Sequence, residues 1–225
     1  MGYKKCFAEF IGTFFLVFIG SCSIIINVLS KNSIGHTGVA LTFGFIIFIM
    51  IFACGDISGA HFNPAVTIAF YISGKLKIKY VLPYIISQLL GAVVASALLK
   101  MIFGEISRLA ITLPSLDISQ KAVPISLVLE VIFTCLLMFV IMSVGDQPKV
   151  GNYLKIRTAI SGLVIGSIVF LGALIAGPIS GGSFNPARSL GPSIVSSDYR
   201  YIWIYIVAPM TGACLGASLY LLEEH

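Results

Sequence analysis

The chain has 225 residues, of which 58% are hydrophobic and only 10% charged, with a formal net charge of +5. Soluble domains carry about 25% charged residues, and a core of this size cannot hide so much apolar surface, so the solvent implied is a lipid bilayer. The basic excess does not point to nucleic acid, because the lysines are scattered through short loops between apolar runs and form no basic face.

In chain order, apolar runs near the length of about 20 residues needed to cross a membrane fall at residues 6–29, 37–54, 80–103, 124–145, 156–177 and 201–222. The first run, FAEFIGTFFLVFIG, contains Glu9 and is followed by no small-residue cleavage site, so it reads as a retained span rather than a signal peptide. Two shorter apolar stretches, 62–73 and 184–196, are too short to cross and read as half-helices that enter and stop. Residues 104–123, with Pro114 and both charge signs, form the longest polar connection. With the N-terminus inside, the inner loops hold Lys4, Lys5, Lys75, Lys77, Lys79, Lys149, Lys155 and Arg157, and the outer loops hold Lys31, Arg108, Lys121 and Arg200. This asymmetry places both termini in the cytoplasm.

The short stretches begin with nearly the same words: ISGAHFNPAVT at 57–67 and ISGGSFNPARS at 179–189. The repetition continues outside them. AEFIGTFFLVF at 8–18 aligns with LEVIFTCLLMF at 129–139, LTFGFIIF at 41–48 with LVIGSIVF at 163–170, and LGA at 90–92 with LGA at 215–217. The chain is thus one domain, 1–225, made of two halves of about 6–103 and 124–222 joined by 104–123 outside. Three spans per half is odd, so the second half inserts upside down. The fold class is an all-α membrane protein with six transmembrane helices and two re-entrant half-helices in an inverted repeat.

Asn and Pro disfavour a helix interior and favour its first turn. Asn63-Pro64-Ala65 and Asn185-Pro186-Ala187 therefore start the half-helices near the midplane, with two positive helix ends facing each other. The preceding Gly59, Ala60, His61, Gly181 and Ser183 are expected to be non-helical, with carbonyls that line water. A neutral molecule can follow such a ladder, whereas a cation meets two positive ends. This charge exclusion is general to pores of this kind rather than a finding about the present chain.

The paired NPA motifs, Arg188 after the second, paired Glu9 and Glu130 and six spans resemble the major intrinsic protein, or aquaporin, family over essentially the whole chain. The resemblance implies a homotetramer with one pore per subunit, and Glu9 and Glu130 holding the half-helix loops by hydrogen bonds. It further implies a selectivity filter at Phe43, Ala173, Gly182 and Arg188. Water-selective members commonly have His where this chain has Ala173, so the filter is expected to be wider and more apolar. Glycerol facilitators typically follow NPAR with Asp, whereas Ser189 stands here as in water channels. GPISGGSFNPARSLGP and IWIYIVAP resemble the nodulin-like branch, whose members often pass glycerol and undissociated metalloid acids such as arsenite or borate, although many of those have Trp where this chain has Phe43. The function implied is a passive channel for water and small uncharged solutes in the plasma membrane, excluding protons and ions.

Other readings stand beside it. A strictly water-selective channel is one. A secondary transporter also uses inverted repeats and broken helices, but usually keeps ionisable groups at the midplane, where this chain has two Asn. An enzyme is disfavoured, since no nucleophile-elbow or HExxH motif is present. No cofactor is called for, and His61, without neighbouring Cys or His, reads as loop packing or pore lining rather than a metal ligand. Asp146, Lys149, Lys155 and Arg157 read as a solvated inner loop. Gly162 with Gly166, Gly212 with Gly216, and Gly91 with Ala95 have the small-xxx-small spacing that lets helices approach. The five cysteines read as reduced, small hydrophobes in or at the ends of spans.

Overall fold

The structure is a computed structural model that describes residues 2–115, 121–145 and 154–223. Asp146 and Lys149 of the inner loop lie outside the described residues. Each half supplies two long helices, one short helix and a third long helix: α1 (Gly2–Leu29), α2 (Gly35–Ser58), α3 (Pro64–Ile72) and α4 (Ile78–Phe103), then α5 (Ala122–Gly145), α6 (Leu154–Ser180), α7 (Pro186–Ser196) and α8 (Ile204–Glu223). Six of these are long and apolar enough to span a membrane, and α3 and α7 are the expected half-helices.

Two spans run further than their apolar runs. α2 continues to Ser58 and α6 to Ser180, and each stops at a glycine in the left-handed region, Gly59 at φ 91° and Gly181 at φ 82°. The extra turn carries each chain toward the midplane before it reverses into the half-helix. α6 also passes through Pro178, which has no N–H for the Leu174 carbonyl. His36 Nε2, at the start of α2, lies 2.8 Å from that carbonyl and replaces the missing donor. Because a carbonyl only accepts, the Nε2 nitrogen carries the proton.

The core is built from helix pairs in close contact. A Cβ built on Gly166 would lie 2.5 Å from the Gly44 carbonyl oxygen, and one on Gly44 would lie 2.7 Å from that of Gly166, so α2 and α6 meet backbone to backbone on the axis relating the halves. In α1–α4, Gly91 sits on the Phe10 carbonyl, and in α5–α8, Gly212 and Gly216 sit on those of Val131 and Cys135. The expected small-residue spacing thus marks real approach surfaces. Large apolar side chains such as Phe45, Phe52, Leu82, Ile132 and Trp203 point outward and are exposed, as contact with lipid requires.

The connection between the halves is more structured than its polar composition implies. It opens with a 3-10 helix, Gly104–Ala110. An extended stretch follows, and there Ser115 N donates to Ile179 O at 2.8 Å. It lies against the loop before α7.

Candidate functional site

The two half-helices begin where their sequences say they should. Asn63 (φ −153°) and Asn185 (φ −154°) are extended caps, and their Oδ1 atoms accept from Ala65 N and from Ala187 and Arg188 N. Each side-chain amide then reaches across. Asn63 Nδ2 donates to Phe184 O at 2.7 Å, and Asn185 Nδ2 donates to Phe62 O at 2.8 Å. A carboxamide nitrogen has two protons, so each Asn keeps one N–H for the cavity that both line. Pro64, Ala65, Pro186 and Ala187 are buried in the first helical turns and do not line it.

Reversing the chain so sharply costs backbone strain. Ala60, Phe62 and Phe184 are non-glycine residues at positive φ (52°, 49° and 55°). Such conformations cost about 1–3 kcal/mol each and persist only when the surroundings fix them. The two glutamates do the fixing. Glu9 Oε1 accepts from Ser58 Oγ (2.6 Å) and His61 N (3.0 Å), and Oε2 accepts from Phe62 N (2.7 Å) and Gln88 Nε2 (2.7 Å). Glu130 Oε1 accepts from Ser180 Oγ (2.8 Å) and Ser183 N (2.9 Å), and Oε2 accepts from Phe184 N (2.6 Å). Both carboxylates are fully buried. Outside each bracket a tyrosine hydroxyl caps the last carbonyl of the long helix: Tyr84 on Ser58 O at 2.8 Å, and Tyr205 on Ser180 O at 2.6 Å.

His61 belongs to the Glu9 bracket. Its ring stacks on Phe70 with centroids 4.6 Å apart, and Nδ1 is 3.1 Å from Thr67 Oγ1. Thr67 gives its single hydroxyl proton to Asn63 O at 3.0 Å, so His61 Nδ1 must be the donor. Gln88 Nε2 also donates to Thr67 Oγ1, at 2.9 Å.

A cavity of about 830 Å³ runs from Lys75 and Arg157 at one end, past His61 and the two Asn, to Phe43 and Arg188. Gly59, Ala60 and Ser183 line it as expected, whereas Gly181 does not; it packs against Thr112, which a Cβ there would approach to 3.3 Å. The four expected filter positions form two contacting pairs. Arg188 Cζ lies 5.2 Å from the Phe43 ring centre, and a Cβ built on Gly182 would lie 3.2 Å from Ala173 Cα. Phe43, Gly182 and Arg188 are on the cavity wall, and Ala173 backs Gly182. Arg188 is 3% exposed. Its Nη1 donates to Ala110 O at 2.7 Å, and its buried Nε has no partner among the described residues. Beyond it, Arg200 donates to the Asp198 carboxylate from Nε (3.0 Å) and Nη2 (2.8 Å), which holds that carboxyl below its usual range.

Sequence reading missed Ser58, Ser180, Tyr84, Tyr205, Gln88, Thr67 and the Ala110 carbonyl. The repeat offset could have found the tyrosines, since 84 and 205 differ by the same 121 residues as Glu9 and Glu130.

The model of the family described as Major intrinsic protein matches residues 1–220. The chain belongs to that family. Among similar proteins, Aquaporin NIP1-1 of Zea mays is 43% identical over 219 residues, covering 96% of this chain and 73% of the relative. Nodulin-26 of Glycine max is 40% identical, covering 96% and 76%. The X-ray structure of the aquaglyceroporin from Plasmodium falciparum superposes with a TM-score of 0.85 at 27% identity, covering 98% of this chain and 96% of the other. A major intrinsic protein is a membrane channel, not an enzyme.

Proposed function

We propose that this channel conducts water together with small uncharged solutes, glycerol and undissociated metalloid acids among them, and excludes protons and other ions. The observation that carries the solute range is the constriction. On the wall that Phe43 and Arg188 share, Gly182 presents bare backbone, and Ala173 behind it adds only a methyl. Where a water-selective relative commonly has an imidazole, this chain leaves room for a carbon chain and an apolar surface for it to slide on.

Exclusion follows from the midplane. The N-termini of α3 and α7 each carry roughly half a positive charge, and Arg188 adds a full one. A water whose oxygen accepts from both free Asn N–H groups has no lone pair left for a neighbour's proton, so the hydrogen-bonded file reverses direction there. Among the described residues, no titratable group of the kind a proton-coupled transporter needs sits between the two Asn.

The reading extends to one functional unit built of the two inverted halves, a homotetramer with one pore per subunit, and the plasma membrane with both termini in the cytoplasm. The loop lysines support the orientation.

Stopped-flow shrinkage and reswelling of proteoliposomes in water, glycerol, urea and boric acid gradients tests the reading. Water flux with glycerol and boric acid reswelling is expected. Water flux alone would replace it with a strictly water-selective channel, for which the bulk of Phe43 beside Arg188 speaks. Flux driven by a proton or sodium gradient would make it a transporter. Arg188→Val is expected to weaken ion exclusion by removing a fixed charge from a low-dielectric pore.

A further inference from the structure

The connection between the halves contains a buried threonine that the pore itself does not use. Thr112 is 2% exposed, and its Oγ1 donates to Ser189 Oγ at 2.7 Å. Ser189 Oγ is 2.6 Å from Ser183 Oγ, and Ser183 Oγ donates to Asn185 O at 2.9 Å. A hydroxyl has one proton to give. Thr112 gives its own to Ser189, and Ser183 gives its own to Asn185, so Ser189 must donate to Ser183. The three hydroxyls form a head-to-tail chain from the connection to the carbonyl of the residue that caps α7. The methyl of Thr112 backs Gly181, where a Cβ would come within 3.3 Å of Thr112 Cγ2. Two residues before Thr112, Ala110 O holds the Arg188 guanidinium at 2.7 Å. One short stretch therefore grips two consecutive residues of α7, Arg188 by its side chain and Ser189 by its hydroxyl.

We propose that Thr112 is a positioning residue for the constriction. It clamps residues 110–112 onto α7 so that the Ala110 carbonyl keeps the Arg188 guanidinium against the wall and out of the lumen. The proposal rests on Arg188 forming the constriction. Without the clamp the carbonyl drifts, the guanidinium swings into the cavity, and the widest solute is obstructed first. Ser189 acts in the same chain, so loss of either hydroxyl has the same consequence.

The test is flux through reconstituted wild-type, Thr112→Val, Thr112→Ser, Ser189→Ala and Arg188→Val channels, and through the Thr112→Val/Arg188→Val double variant. The probes are water, formamide, urea and glycerol. Thr112→Val keeps the shape and removes the hydroxyl. It is expected to lower glycerol flux several-fold more than water flux, with Ser189→Ala alike and Thr112→Ser close to wild type. In the Arg188→Val background the Thr112 substitution is expected to change nothing, because there is no guanidinium to hold. The ratio of two fluxes through the same protein is insensitive to yield, and Ser189→Ala serves if Thr112→Val does not fold. An unchanged or raised glycerol-to-water ratio in these variants, or an undiminished effect in the double variant, overturns the proposal. If Arg188→Val itself leaves the probe series unaltered, the constriction reading fails instead. If wild type passes water alone, the solute reading fails, and the clamp is read from a fall in water flux at equal protein density.

Discussion

Around α3, Glu9 accepts four donors, and one of them, Gln88 Nε2, comes from α4 of the same half and also reaches Thr67. Around α7, Glu130 accepts three. The position related to Gln88 by the offset of 121 is Pro209, which has no side-chain donor. Its work passes to the connection, where Thr112 reaches Ser189, the counterpart of Thr67, and Ala110 reaches Arg188. The Glu9 bracket is therefore complete within its own repeat, whereas the Glu130 bracket borrows its last supports from residues that belong to neither half. The half that brings the Arg188 guanidinium to the cavity is the half whose support can change without disturbing the repeated frame.

The comparison breaks most severely at the carboxylates. In each bracket one oxygen faces one backbone N–H and the other faces the next, so an amide NH2 must confront a donor in either orientation. Glu9→Gln and Glu130→Gln are each expected to cost about 1–3 kcal/mol for the opposed donor. Glu9→Gln should be worse by about 1 kcal/mol, because Glu9 also serves Gln88, whereas Ser58 on Glu9 is matched by Ser180 on Glu130. Midpoints of unfolding in detergent measure this. An equal or reversed ranking would contradict the four-against-three count.

Of the two brackets, only the Glu130 one should answer to substitution with a change of selectivity. Ala173→His puts an imidazole against Gly182, and is expected to remove most glycerol flux while sparing much of the water flux. His61→Ala, which alters the Glu9 bracket's cavity wall, should leave the ratio unchanged. Proteoliposome reswelling decides between them. A folding defect lowers both fluxes together and so leaves the ratio alone.

Gln88→Leu should make the Glu9 bracket resemble the Glu130 one. It removes one donor from Glu9, but also the Gln88 Oε1 that is buried without a partner among the described residues. The net loss is expected to be about 1 kcal/mol or less, and the difference between Glu9→Gln and Glu130→Gln should shrink in its presence. Smallest of all is the expected effect of mercurials. Cys6, Cys22, Cys54, Cys135 and Cys214 are absent from the cavity wall in both halves. Gly182 stands where several family members carry a reactive Cys. Thiol-reversible block of water flux would place a cysteine in the path after all.

The frame was legible in the sequence because it is written twice in a local code. Asn-Pro fixes a helix start within a few residues, and the offset between copies identifies Glu9 with Glu130 without any knowledge of distance. What was not legible is whatever acts at long range or through the backbone. Gln88 is one polar residue in an apolar span, and its partners lie 79 and 21 residues away. Ala110 contributes a carbonyl, which every residue has, so no side-chain pattern could single it out. Thr112 sits in a stretch whose composition reads as a polar connection. Gly181 looked like its neighbours in the motif, and only the position of Thr112 explains why it faces away from the cavity.

The crossed amides also constrain how the chain is assembled. Synthesis delivers α1–α4 first. At that moment the Asn63 Nδ2 group and the Phe62 carbonyl lack these partners, because Phe184 and Asn185 lie 121 and 123 residues further on. Unpaired polar groups in hydrocarbon cost several kcal/mol each, so an early docking of α3 is penalised, and the first half alone is expected to stay open. The arrival of α7 satisfies both loops in a single event. Truncation anywhere before Asn185 should thus yield a half that inserts but never closes.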